Sequence, residues 1–283
     1  MERSNPRPQL QLATVAKHLT DTQAEDLVAI ARVFISPTVV SVPKVSDPIF
    51  NKESATYFGD VLKLHHCFSD EPFTKDKFEH LLKSTLERYG FVVKSPTTNN
   101  PGEDLTIDGV PVSLKTQADQ SIELDYLQIH KFMELGKGDW GNSERDIRNL
   151  LEQFLEHISR YQRIFVLRAI TNPKVCKANN RDFTDWEYEL VEIPKSLLEA
   201  ARHGEITIST RSKLTSAKPA TCAVFETLSN GERARIYNLY FDGGGERKLK
   251  LTSLRKDHCK VHGTWKFRDP KSIHDGTSAD LRI

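Results

Sequence analysis

Asp104 and Lys115 could do chemistry together, because the segment between them reads as a hairpin that returns both side chains to one face. Asp108-Gly109 stands between two short alternating runs, and both central residues of a type I′ turn must tolerate positive φ, which Asp and Gly do at low cost. If Ile107 pairs with Val110, then Thr106 faces Pro111, Leu105 faces Val112 and Asp104 faces Ser113, with Lys115 further along the same face. The opposite face collects Leu105, Ile107, Val110, Val112 and Leu114 and reads as buried, while Asp108 in the turn is too far along to join the pair. A carboxylate beside a fixed ammonium suits a reaction in which oxygen ligands hold a hard cation while negative charge builds on a nearby oxygen.

Glu103-Asp104 on the first strand and Ser113-Leu114-Lys115 on the second resemble the PD-(D/E)xK nuclease signature in its Ser-x-Lys variant. Residues 113 to 117 and 129 to 140 are also similar to restriction-enzyme sequence, and the chain resembles a type II restriction endonuclease over residues 74 to 170. The resemblance implies Mg²⁺-dependent hydrolysis of phosphodiester bonds in double-stranded DNA. Mg²⁺ keeps several waters and needs few protein ligands, so Asp104, the carbonyl of Leu114 and one more carboxylate would suffice. Lys115 would orient the attacking water or offset charge in the pentavalent transition state, where a fixed cation is worth roughly several kcal/mol. Ser113 cannot replace a carboxylate, and the resemblance implies that the missing charge comes from elsewhere in the fold, with Glu79 on the preceding helix first, Glu103 on the hairpin second and Glu87 on the helix third. The same resemblance implies a prokaryotic cytoplasmic protein, a cognate methyltransferase, and a homodimer with a monomer as the alternative. Two further readings stay open at this point: an inactive DNA-binding protein on the same fold, and a structure-specific repair nuclease.

The elements that must position these residues are legible in part. Thr74 to Tyr89 is predicted as a helix, with Thr74 at its N-cap, Gly90 at its stop and Phe78, Leu81, Leu82, Thr85, Leu86 and Tyr89 as its buried stripe. A strand at Phe91 to Lys94, the hairpin, a helix from Ser143 to Tyr161 and an apolar strand from Ile164 to Ile170 follow in the α-β-β-β-α-β order of a restriction-endonuclease-like core. Ile147, Leu150, Leu151, Phe154, Leu155 and Ile158 give the second helix its core face. The fold class is therefore α/β, an α+β mixed sheet with a β-rich C-terminal region.

Upstream, residues 1 to 20 read as poorly ordered or a short arm, Asp21 to Phe34 and Ser54 to Cys67 as helices, and the stretch through Pro37, Pro43 and Pro48 as a connector. Downstream, Trp186 to Ile193 reads as a strand and Pro194 to His203 as a helix. Strands follow at Ile206 to Thr210, Thr221 to Thr227, Ala234 to Asp242, Arg247 to Leu254 and Lys260 to Phe267, with Trp265 in the core. Gly243-Gly244-Gly245 is a turn and not a phosphate loop, since no Lys-Ser/Thr follows at the needed spacing. The expected division is an N-terminal helical region 1–73, a catalytic core 74–200 and a basic β-rich recognition region 201–283, within one compact unit.

The net charge of +1 hides an asymmetry, since residues 202 to 271 hold 15 Lys or Arg against 7 Asp or Glu, a net +8. Phosphate attraction acts over about a Debye length, roughly 8 Å at physiological salt, so this local excess matters more than the total. The candidates for DNA contact are Gln117, Lys137, Arg211, Lys213, Arg233, Arg235, Arg247, Lys248, Arg255 and Lys260. Arg suits guanine because its two donors match O6 and N7, and Lys more often takes phosphate. The N-terminus has no apolar signal region and no run approaches a membrane span, which predicts a soluble protein that is not secreted. Cys67, Cys176, Cys222 and Cys259 form no C-x-x-C pair, and neither they nor the histidines around them suggest a disulfide framework or a zinc site.

Overall fold

The computed structural model describes residues 7–43, 49–96, 103–118, 122–137, 141–171, 185–209, 218–243 and 246–271. The described strands are β1 (Thr38–Ser41), β2 (Val93–Lys94), β3 (Leu105–Ile107), β4 (Val110–Gln117), β5 (Tyr126–Lys137), β6 (Arg163–Thr171), β7 (Asp185–Glu192), β8 (Glu205–Ile208), β9 (Ala220–Thr227), β10 (Arg233–Phe241), β11 (Glu246–Arg255) and β12 (Lys260–Arg268). The described helices are α1 (Pro8–Ala16), α2 (Asp21–Ile35), α3 (Lys52–Phe68), α4 (Lys75–Arg88), α5 (Glu144–Ser159) and α6 (Lys195–Glu199). Two sheets carry the fold: a seven-stranded one in the order β1-β12-β7-β6-β4-β3-β2, and a five-stranded one in the order β5-β11-β10-β9-β8.

Burial follows the alternation of the strands. Leu105, Ile107, Val112, Leu114, Phe165 and Leu167 form a core with α3 and α4 on one face of the large sheet. On its other face Ile164, Val166 and Val191 join the apolar stripe of α5, whose far side is covered by Leu127, Leu239, Leu249 and Leu251 of the small sheet. Helix α5 thus lies between the sheets, and it is the crossover that lets β6 run parallel to β4. The α5 start is fixed by a reciprocal capping box between Ser143 and Asp146.

Several expectations need correction. Residues 8 to 16 form a helix, with Pro8 at its first turn where a missing N–H costs nothing. Part of the Pro-punctuated connector is β1, on the outer edge of the large sheet. Thr74 sits at the N-cap of α4, but its hydroxyl caps nothing. Strand β5, absent from the sequence reading, intervenes between β4 and α5 and belongs to the small sheet. Its pairing with β11 shifts register three times, which breaks the period-2 pattern that would have revealed it. The three sequence regions also interleave in space, since β5 lies in the small sheet and β12 in the large one.

His66 stacks on Trp186 at 3.7 Å and bonds the Tyr188 hydroxyl at 2.7 Å, and burial lowers its pKa to about 3. Trp265 is fully buried, donates to the Ala55 carbonyl at 2.6 Å, and lies so close to Gly59 that a Cβ there would meet its ring at 2.6 Å. Among the described residues Cys67, Cys222 and Cys259 are free thiols.

Glu192 clamps β6, β7 and β12 together by accepting from Arg163 through two 2.7 Å bonds and pairing with His262 at 2.7 Å. Burial pushes its pKa up, but the bonds from Arg163 and His262 outweigh this and hold it at about 2. A depressed carboxyl contributes stability that is complete above its ordinary value of 4.5 and is lost as pH falls toward 2. Glu192→Gln should therefore cost on the order of 3 kcal/mol at pH 7, with the gap to the parent closing between pH 4.5 and 2 in urea unfolding. A gap that stays constant with pH would contradict this clamp.

Candidate active site

The turn has the expected geometry, with positive φ at Asp108 (48°) and Gly109 (83°). The register follows, with Leu105 opposite Val112, Thr106 opposite Pro111 and Ile107 opposite Val110. One residue beyond the end of the ladder, the Asp104 N–H donates to the Val112 carbonyl at 2.8 Å. Beyond that point β4 continues without its partner, and the Asp104 carboxylate turns in to meet it. Its Oδ2 accepts the Ser113 hydroxyl at 3.1 Å and the Leu114 N–H at 2.6 Å. In an antiparallel pleat a residue's N–H and C=O leave from the same edge, so the Leu114 carbonyl emerges beside this carboxylate. Ser113 therefore acts as a donor that orients Asp104, which explains why a hydroxyl and not a second carboxylate occupies that position.

The second oxygen, Oδ1, faces the Lys75 ammonium at 2.5 Å, from the first turn of α4. Lys75 is 44% exposed, whereas Asp104 is 15% exposed, so an exposed surface cation covers a well-anchored anion. Glu79 follows Lys75 by one helical turn on the same side of α4. Its pKa is raised by burial and by the nearby Asp104 charge, which brings the two carboxyls into one electrostatic neighbourhood. Glu103 is half-buried, with Thr106 Oγ1 3.5 Å from its Oε2. Glu87 is exposed, two turns beyond Glu79.

Lys115 emerges on the same face as Ser113 and lies 5.3 Å from the centre of the Phe132 ring on β5. Burial lowers its pKa to about 8, against the opposing pull of Asp104 and with the help of Lys75. A cleft of about 300 Å³ opens over these groups, lined by Lys75, Asp104, Ser113, Lys115, His157 and residues 131 to 134 of β5. Lys131 and Glu134 form an ion pair at its rim. His157 has a buried Nε2 with no hydrogen-bond partner, and burial followed by the Lys115 charge lowers its pKa to about 4. Lys75, His157, Lys131 and Glu134 were not found from sequence. His157 was discoverable, because it falls on the apolar stripe of α5 between Phe154 and Tyr161.

The DNA-contact candidates divide sharply. Gln117 is buried and accepts from Arg168 Nε at 3.0 Å, and Arg247 is fully buried and donates to the Lys218 carbonyl at 2.5 Å, so neither is open to a duplex. Arg233 pairs with Glu205 and lies 4.5 Å from the Phe225 ring centre, while Arg255 pairs with Glu226 and Asp257. Arg235 and Lys260 are exposed and Lys248 is half-exposed. Lys248 sits opposite Glu134 on β5, one strand from the cleft. Lys137 closes β5, and Arg211 and Lys213 lie outside the described residues.

A family profile described as SmaI, type II site-specific deoxyribonuclease, matches residues 12–267. The type II restriction enzyme SmaI of Serratia marcescens is 39% identical over 258 residues, which span 91% of this chain and 96% of that protein. No solved structure matches the chain.

The Lys115 ammonium should titrate near pH 8 when followed by NMR of lysine labelled at Cε, because burial and Lys75 both oppose its charge. An ordinary lysine value near 10.4 would mean that the cleft is wet and the site more open than described.

Proposed function

We propose a cutting mechanism for this chain, which belongs to the SmaI family of type II site-specific deoxyribonucleases. Cleavage takes place over Asp104, Ser113 and Lys115, in double-stranded DNA lying across the cleft between β4, β5 and α5. The observation that carries this is the Asp104 carboxylate, one oxygen of which is pinned by Ser113 and Leu114 while the other is turned toward a cation, with Lys115 on the same face.

The same geometry fits Mg²⁺. Oδ1 of Asp104 already has an ammonium as its partner, so it lies where a cation is favoured, and the Leu114 carbonyl and the Glu79 carboxylate would supply further oxygens, with Glu103 the alternative to Glu79. When bound, the ion would polarise the scissile phosphate and lower the pKa of a water. Lys75 would yield its place on Asp104 and move to solvent or a DNA phosphate, as its exposure allows. Lys115 would hold the attacking water and offset the charge that develops on the phosphoryl oxygens. Ser113 would keep Asp104 in the rotamer that serves both.

Arg235, Lys248 and Lys260, with Arg211, Lys213 and Lys137, supply the basic surface of the recognition region, arginines toward guanine edges and lysines toward phosphates, and Arg233 and Arg255 would join them only by leaving Glu205 and Glu226. A cognate methyltransferase that protects host DNA and a prokaryotic cytoplasmic setting complete the reading. Among the described residues no helix is long and apolar enough to cross a membrane.

Asp104→Ala and Lys115→Ala should each lower cleavage of a cognate duplex by two decades or more, while specific binding in Ca²⁺ stays within a few fold. Normal turnover in either variant rejects the site. Glu79→Gln should raise the Mg²⁺ concentration for half-maximal rate, and if Glu103→Gln does so instead, the hairpin provides both carboxylates.

A further inference from the structure

The apolar stripe of α5 ends in two polar side chains that its packing does not require. Ile147, Leu150, Leu151, Phe154, Leu155 and Ile158 fill the space between the sheets. His157 stands in the last turn of α5 and Tyr161 just beyond it. His157 Nε2 and the Tyr161 hydroxyl are both buried, yet neither has a hydrogen bond among the described residues. Leaving a buried polar atom unpaired is costly, and it persists mainly where the atom has a task. Of the buried polar atoms without a partner among the described residues, only His157 Nε2 belongs to a side chain that lines the cleft with Asp104, Ser113 and Lys115.

Lys115 is the complementary case. In the parallel pairing of β4 with β6 it stands level with Val166, and Ser113 with Ile164, and both of these β6 residues belong to the core around α5. Strand alternation therefore sends Lys115 to the α5 side. Its ammonium lies over the Phe132 ring and has no hydrogen bond among the described residues. An ammonium offers three donors and no acceptor, whereas an imidazole nitrogen without a proton offers a lone pair. After burial, the Lys115 charge is the strongest influence on the imidazole, and the two hold it neutral, with a pKa of about 4. Tyr161 packs edge-on to the ring at 5.5 Å and so restricts its plane. The carboxylates of the cleft are already engaged, Asp104 with Ser113, Leu114 and Lys75, and Glu134 with Lys131.

We infer that His157 is a positioning residue for cleavage, its Nε2 accepting a hydrogen bond from the Lys115 ammonium so that the remaining donors point at the phosphate and the attacking water. The neutrality of the acceptor matters. A carboxylate in its place would aim the ammonium equally well but cancel its charge, whereas a neutral imidazole aims it and leaves the charge for the phosphoryl oxygens. The tautomer required has its proton on Nδ1. This role presupposes that Lys115 acts at the scissile phosphate.

The experiment is single-turnover cleavage of a cognate duplex, with binding in Ca²⁺ and thermal unfolding measured on the same variants. His157→Leu should cut about ten- to a hundredfold more slowly, the range spanned by one hydrogen bond to a charged group. Its binding should stay within about twofold of the parent, because the lost contact serves the chemical step. Its Tm should equal or exceed the parent's, since leucine suits the stripe and leaves no buried atom unpaired. His157→Gln keeps a neutral acceptor and should cut within about threefold of the parent. In a Lys115→Ala background, itself slow, His157→Leu should add no further loss, because its partner is gone. A parental rate in His157→Leu overturns the role, and so does a His157→Gln as slow as His157→Leu. A Tm that falls along with the rate, or an undiminished loss in the Lys115→Ala background, overturns it equally. Parental cutting by Lys115→Ala would instead reject the lysine, and His157 with it, so the two failures are told apart.

Discussion

The bond from the Leu114 N–H to the Asp104 carboxylate is the constraint on which the rest of the site depends. It forms because the β3–β4 ladder ends at Leu105, so the next donor on the β4 edge has no strand to bond and takes a side-chain oxygen instead. A buried N–H without a partner costs about 1 to 3 kcal/mol, and a charged acceptor makes the bond stronger than a ladder bond. The carboxylate is thereby locked in one rotamer beside the Leu114 carbonyl, and Ser113 adds a second donor to the same oxygen. One register, set by a two-residue turn, thus determines where the anion, the carbonyl and the Lys115 ammonium stand relative to one another.

Around that fixed anion the protein arranges charge in two layers. Lys115 is half-buried and its charged form is disfavoured, so it gains from any negative charge that arrives in the cleft. Lys75 is exposed, and it screens Asp104 and Glu79 from each other across the face of α4. Burial, with the Lys115 charge beside it, accounts for the low basicity of His157, whose buried Nε2 has no hydrogen-bond partner among the described residues. The large sheet behind these groups is stiffened by the Glu192 clamp, and Arg168, donating to Gln117, Glu189 and the carbonyls of residues 123, 124 and 126, ties the start of β5 to β4, β6 and β7. That tie holds β5 against the cleft.

What the sequence disclosed was local. Asp-Gly demands one turn type, that turn permits one register, and the register placed Asp104, Ser113 and Lys115 together before any tertiary information. The stripes of α4 and α5 were equally plain because each keeps a 3.6 period without interruption. What it concealed was tertiary or irregular. Bulges erased the period of β5, and Lys75 became part of the site only because α4 leans on β4. Gln117 and Arg247 looked like surface groups by residue type, but each is buried, Gln117 accepting from Arg168 and Arg247 donating to the Lys218 carbonyl, roles that composition does not reveal. The basic excess was real, yet Arg233 and Arg255 face acidic partners on neighbouring elements, so the count overstated the cations open to a duplex.

The central claim is that a divalent cation binds at Asp104 and not elsewhere on the chain. Fe²⁺ in place of Mg²⁺, with ascorbate and peroxide, generates radicals that cut the backbone within a few ångströms of the bound metal, and mass spectrometry locates the cuts. The account predicts cleavage at residues 103–105 and 113–115 with a weaker cut near Glu79, all lost in Asp104→Asn and all suppressed by excess Mg²⁺. Cuts confined to other segments, or cuts that persist in Asp104→Asn, would contradict it.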